Sequence, residues 1–197
     1  ISEEPLWDLT WSKNVNLSEI NQEQMLNNTI IKYLHLNHLN SDIFDFNQIP
    51  YFVLTDSKYI SRYILSFQRI LKLSKREILE HWNSLPQSIA FIQEKRLDPS
   101  HEYVFDQTKP IRLSKFRSEL ATNIKIDRVL IEGKGWPSQS LNPKQVIRQE
   151  LPDWHLDKLS KLNKKFRYVS ALENVHHPNY VTEKIFDAYA SMSIPIY

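Results

Sequence analysis

The 197 residues carry 41% hydrophobic side chains, enough for a real core in one large domain or two small ones. Lys plus Arg at 25 against Asp plus Glu at 23 is close to balance, which argues against a general polyanion binder; nucleic-acid binding would rest on a pI of 8.7 alone. With no cysteine there is no disulfide framework and no thiolate metal site, as suits a reducing compartment, and no apolar run reaches the roughly 18 residues that a membrane-spanning helix needs.

The chain starts at Ile1 with neither methionine nor signal peptide and stops at Tyr197 within an expected strand, so it reads as an internal fragment of a longer protein. Residues 13–48 are rich in asparagine and other polar residues and read mostly as loop, with a short helix expected near 18–28. Two glycosylation sequons, Asn16-Leu17-Ser18 and Asn27-Asn28-Thr29, fall in this stretch and by base rate are accidental. Ile60, Tyr63, Ile64, Phe67, Ile70 and Leu71 recur at helical spacing, and Ser74 with Glu77 forms a capping box for a helix to about Trp82. These read as connecting helices, so a partial first domain is expected over 1–86 and a second over 87–197.

From residue 88 the pattern alternates. Residues 88–92 read as a strand, roughly 113–124 as a helix and 126–131 as a second strand. Asn142-Pro143 opens a helix with a cap residue and a first-turn proline, and a short helix covers 155–163. Residues 168–172 form a third strand, a helix starts near Thr182 with Ile185, Phe186, Tyr189 and Met192 at helical spacing, and 194–197 form a fourth strand. This β-α-β-α-β-α-β order implies a parallel sheet with helices on its faces. No internal repeat is visible.

The corner between the third strand and the last helix holds the most chemistry. Glu173-Asn174 stand at the strand's C-terminal end, and Glu183 and Lys184 fall in the first turn of the helix. In open α/β sheets ligands bind at such corners. A helix N-terminus offers unpaired N–H groups, a lysine there adds a full charge, and a neighbouring carboxylate accepts bonds from sugar hydroxyls. Together these suit a nucleotide-sugar diphosphate, although the spacing alone implies only a phosphate-bearing ligand. Plain structural readings stand beside this one: Lys184 as a solvated lysine, Asn174 and Tyr180 as turn residues, and Glu183 as an acid at the positive helix end, worth roughly 0.3–1 kcal/mol and compatible with ribose binding.

Only two glycines occur, Gly133 and Gly135, so the glycine-rich phosphate loops of dinucleotide and P-loop sites are absent and phosphate must be held by side chains and helix ends. His35 and His38 are three apart and His176 and His177 are adjacent, but neither pair has a carboxylate or cysteine partner set around it, so no metal site is expected. No D-x-D triplet, the usual metal anchor of GT-A glycosyltransferases, occurs either.

In order and spacing, Leu172-Glu173-Asn174, then His177-Pro178-Asn179-Tyr180-Val181-Thr182-Glu183-Lys184, then Ile194-Pro195-Ile196-Tyr197 resemble the signature of glycosyltransferase family 10, the α-1,3-fucosyltransferases. That signature runs as a hydrophobic strand, E-N-(S/T), a loop, (D/N)-Y-(V/I)-T-E-K, a helix and a P-(I/V)-(Y/V) strand. Val175 departs from it by removing one hydroxyl. Pro110-Ile111-Arg112-Leu113-Ser114-Lys115-Phe116 resembles the stretch that holds the donor diphosphate, with Arg112 favoured just before the helix and Lys115 or Arg117 as the match if the register slips. Ile1-Ser2-Glu3-Glu4-Pro5 resembles the E-S-P corner that carries the family's catalytic base, Glu3 matching and Glu4 standing in place of the serine; residues 45–51 fall where family members approach the end of their first domain.

The resemblance implies an α/β fold of the GT-B type, two Rossmann-like domains with parallel sheets, with a fragment of both in this chain. It implies inverting transfer of L-fucose from GDP-fucose to a glycan hydroxyl, N-acetylglucosamine in a lipopolysaccharide-type glycan being an acceptor of the right kind, with no metal or other cofactor. Glu3 would be the base. Arg112, Asn174, Tyr180, Glu183 and Lys184 would bind the donor, Glu183 through ribose, and His177 would shape the adjoining loop. The setting implied is cytoplasmic and peripheral at the inner membrane in a bacterium, or the Golgi lumen in a eukaryote. Two rivals stand: the same fold with another nucleotide sugar, and a nucleotide-sugar-binding domain without catalysis.

Overall fold

A computed structural model of the protein describes residues 19–36, 57–101, 104–105, 109–110, 112–137, 153–176 and 181–197. Its first element is a hairpin, where a short helix and loop were expected: β1 (Asn21–Leu26) pairs antiparallel with β2 (Thr29–Leu34), Leu26 lying opposite Thr29. Two residues remain for the turn, and Asn27 and Asn28 both take left-handed backbone conformations, with φ of 47° and 61°. That is the requirement of a type I′ turn, whose twist matches two right-twisted strands and which asparagine tolerates better than most residues. The polar run at the start of β1 hides the strand from any reading by hydrophobic period. The β-branched Thr29, Ile30 and Ile31 opposite supply the preference, and Glu23 meets Lys32 across the pair at 2.8 Å.

Two helices follow, α1 (Ser57–Ile70) and α2 (Lys75–Ser84). The capping box is complete: Glu77 N donates to Ser74 Oγ at 3.3 Å and Ser74 N donates to Glu77 Oε2 at 2.7 Å, so α2 starts with orphan N–H groups satisfied from both directions. Trp82 docks α2 by donating its indole N–H to the Met192 carbonyl at 2.9 Å.

The expected alternation then unfolds as β3 (Ser88–Ile92), a 3₁₀ turn at Pro99–His101, a short antiparallel pair β4 (Val104–Phe105) and β5 (Lys109–Pro110), α3 (Ser114–Asn123), β6 (Arg128–Glu132), α4 (Trp154–Leu162), β7 (Tyr168–Ser170), α5 (Glu183–Ala190) and β8 (Ile194–Ile196). Strands β6, β3, β7 and β8 form one parallel sheet in that order. Alternation along β3 sets the layers. Ile89 and Phe91 face Ala121 of α3 and Trp136 on one side, and Ala90 joins Val169, Phe166, Leu162 of α4 and Ala188 of α5 on the other. Outside α4 and α5 lies α1, whose Tyr59 and Tyr63 pack against Trp154, Phe186 and Ala190.

Both glycines serve the turn after β6. Gly133, at φ 135°, passes the end of β3 so closely that a Cβ would stand 2.3 Å from the Gln93 carbonyl oxygen, a position only glycine fills. The sequence stripe on α5 is partly corrected: Tyr189 is exposed and Met192 lies beyond the helix, while Asp187 and Ala188 are its buried residues. Asp187 is buried because its charge is paired, a pattern no apolar period reveals. Among the described residues no helix is long and apolar enough to cross a membrane. The helix expected from Asn142-Pro143, the sequon at Asn16, the corner at 2–5 and the stretch 45–51 lie outside the described residues.

Candidate functional site

In order along the chain the sheet reads 2-1-3-4, so the chain leaves β3 through α3 to β6 on one side and returns through α4 to β7 on the other. Connections that diverge in this way open a crevice at the C-terminal ends of β3 and β7.

One wall belongs to α3. Leu113 N donates to the Asn174 carbonyl at 2.8 Å, and Arg112 bridges Val175 in the antiparallel sense. Arg117, one turn into α3, donates through Nη1 to the side-chain oxygen of Asn174 and through Nε to Gln93 Oε1 at 3.2 Å, while Gln93 Nε2 donates back to the Arg117 carbonyl at 2.9 Å. Arg112 and Arg117 are only 7% and 8% exposed. The fold therefore brings both arginines of the uncertain register to the corner, whereas Lys115 reaches toward Glu119 along the helix, at 3.9 Å. Val175, at the position where a hydroxyl residue was expected, is buried among them.

The other wall belongs to α5, and Glu173 builds it. Its carboxylate accepts from Thr182 N and from Thr182 Oγ1, both at 2.7 Å, and lies 3.2 Å from Lys184 Nζ. Thr182 is the N-cap, so a carboxylate nine residues upstream caps the helix in place of the threonine's own side chain. Lys184 Nζ also donates to Thr182 Oγ1 at 2.8 Å and stands 3.5 Å from Glu183 Oε1. Burial alone would raise the Glu183 carboxyl, but Lys184 and Lys158 outweigh it and bring it down to about 2, so it is ionised at any neutral pH.

Behind Glu183 lies a buried polar group. Asp187 has no exposed surface; it accepts from Tyr63 of α1 at 2.6 Å and from His155 Nε2 of α4 at 2.7 Å, and pairs with Lys158 of α4 at 2.7 Å. Burial would lower the Lys158 ammonium, but Asp187 and Glu183 overcome it and hold it above the usual lysine range. Burial, then Asp187, pushes the Tyr63 phenol far up.

Arg112, Asn174, Glu183 and Lys184 of the expected site thus meet at one strand–helix corner, joined by Arg117; Glu3, His177 and Tyr180 lie outside the described residues. Glu173, Lys158 and Asp187 carry structure that the sequence reading did not assign. Glu173 was visible as a carboxylate at a strand end, but its partner Thr182 is nine residues away across a loop. Lys158 and His155 share a helix face at a spacing of three, the one hint that this face meets something charged. Among the described residues no three His, Asp or Glu side chains converge as a metal site would need.

No curated protein and no solved structure matches the chain. Residues 107–197 match the family model described as glycosyltransferase family 10 (fucosyltransferase) C-term. The match covers both walls of the crevice from Arg112 to Lys184, together with β6, β7 and β8 of the sheet. Over residues 107–197 the chain is thus similar to the C-terminal domain of glycosyltransferase family 10, and that similarity supports a glycosyltransferase.

Proposed function

We propose that the protein transfers L-fucose from GDP-fucose to a hydroxyl of a glycan acceptor, with inversion and without a metal. The observation that supports this best is the meeting of Arg112, Arg117 and Lys184 with the ionised Glu183 at the C-terminal ends of β3 and β7, inside the segment matched by the fucosyltransferase family. A diphosphate has several acceptor oxygens, and guanidinium groups offer paired N–H donors to them. Leu113, the N-cap of α3, offers no side chain to the first-turn N–H groups, which open at the same corner. Glu183 accepts from ribose hydroxyls, and Asn174 and Tyr180 line the donor pocket.

In the transfer, the acceptor oxygen attacks the anomeric carbon from the face opposite GDP, and the bond from that carbon to the β-phosphate oxygen breaks with its electron pair leaving on GDP. The acceptor proton passes to a carboxylate, assigned to Glu3. Arg112, Arg117 and Lys184 meet the charge that grows on the diphosphate, work that a divalent cation does in other transferases. An N-acetylglucosamine unit of a lipopolysaccharide-type glycan is the acceptor of choice.

Turnover measured side by side with GDP-fucose, GDP-mannose and UDP-sugars, each with and without excess EDTA, tests both parts. GDP-fucose is expected to be the preferred donor, with a rate that EDTA leaves unchanged. Preference for another nucleotide sugar would discard fucose, and a rate abolished by EDTA and restored by manganese or magnesium would discard leaving-group stabilisation by side chains.

A further inference from the structure

Asp187 and Glu183 stand one turn apart on α5. Tyr63 Oη, which donates to Asp187, is also 3.4 Å from the Glu183 carbonyl oxygen. Arg62 Nη1 lies 2.9 Å from His155 Nδ1, so that nitrogen accepts and the ring hydrogen sits on Nε2, where it goes to Asp187. Arg62 also grips Asp153, the N-cap of α4, at 3.1 Å. Two helices therefore deliver three donors to one carboxylate that has no contact with water. Stability alone does not call for this, because well-packed apolar residues in place of a buried ion pair are often neutral or better. What the pair adds is a fixed tie from α4 to α5, one turn behind the donor-site glutamate.

We propose that Lys158 and Asp187 are positioning residues of the donor site: with Tyr63, which reaches both Asp187 and the Glu183 carbonyl, they fix the first turn of α5 and so place the Glu183 carboxylate where it accepts the ribose hydroxyls. This rests on Glu183 meeting ribose, as argued above.

Lys158→Met alone strands the Asp187 charge, so the test uses the paired variant Lys158→Met/Asp187→Asn, whose new amide oxygen still accepts from Tyr63 and His155. Affinities for GDP and for 2′,3′-dideoxy-GDP are measured by calorimetry, with a melting curve as a check on folding. The paired variant is expected to fold, to bind GDP about tenfold more weakly than wild type, and to bind the dideoxy nucleotide as wild type does. Lys158→Arg, which keeps the charge, should retain both affinity and ribose preference.

Equal GDP affinity in wild type and the paired variant, or equal losses for the two nucleotides, overturns the positioning role. Failure of the paired variant to fold counts against it too, since the pair would then be holding the fold. Wild-type protein that binds GDP and its dideoxy analogue equally well overturns the ribose assignment of Glu183 itself, and this proposal with it.

Discussion

Glu3→Gln is expected to lower the transfer rate by about 10²–10⁴, the usual contribution of a positioned general base, while leaving GDP affinity nearly intact. The amide keeps the shape of the side chain and removes only its capacity to take the acceptor proton. GDP affinity should hold because the nucleotide is assigned to Arg112, to Arg117 of α3 and to the first turn of α5, not to the corner at 2–5. Glu4→Gln is the control, because the Ser2-Glu3-Glu4-Pro5 corner is short and its register is open by one position. A large rate loss at Glu4 with none at Glu3 moves the base by one residue and keeps the mechanism. Near-normal turnover in both variants and in the double variant places the base elsewhere.

Asp187→Ala is expected to destabilise the fold by about 3–5 kcal/mol, the usual cost of leaving a buried charge without its partner. Lys158 would keep a charge in a site where its side chain is 9% exposed, and Tyr63 and His155 would lose the acceptor they share. Against a total stability of roughly 5–15 kcal/mol for a domain, that is a large fraction. The contrast is Arg76→Ala: its pair with Glu80 spans 3.5 Å with side chains 85% and 66% exposed, and losing it should cost under about 0.5 kcal/mol. Urea unfolding of the two variants reads the difference directly. A loss below about 1 kcal/mol for Asp187→Ala would mean that the site relaxes or admits water, contrary to the packing of α1 on α4 and α5.

What the sequence makes legible follows from how far apart the cooperating residues are. The strand–helix corner at Glu173 to Lys184, the capping box at Ser74 and Glu77, and the apolar strand Ser88–Ile92 depend on neighbours in the chain, and each is found where local patterning puts it. The hairpin was missed because its deciding feature is two left-handed asparagines, not a hydrophobic period. The polar network was missed for a different reason. Asp187 draws its partners from Tyr63, His155 and Lys158, separated from it by 124, 32 and 29 residues, and no window along the chain contains them together. Arg112 and Arg117 were both named, but only the fold, by laying Arg112 against Val175 and Arg117 against Asn174, brings the two to one place.

Calorimetric titration of GDP into wild-type protein and Lys184→Ala tests most directly that this corner is the donor site. Lys184 is the cation at the first turn of α5, held there by Thr182 at 2.8 Å and Glu173 at 3.2 Å. The helix cap survives its removal, because Thr182 N still donates to Glu173. The expected loss is about 1.5–3 kcal/mol of GDP binding, the usual worth of a charged hydrogen bond, or roughly ten- to a hundredfold in dissociation constant. Unchanged GDP affinity in a folded Lys184→Ala protein would contradict the donor-site assignment.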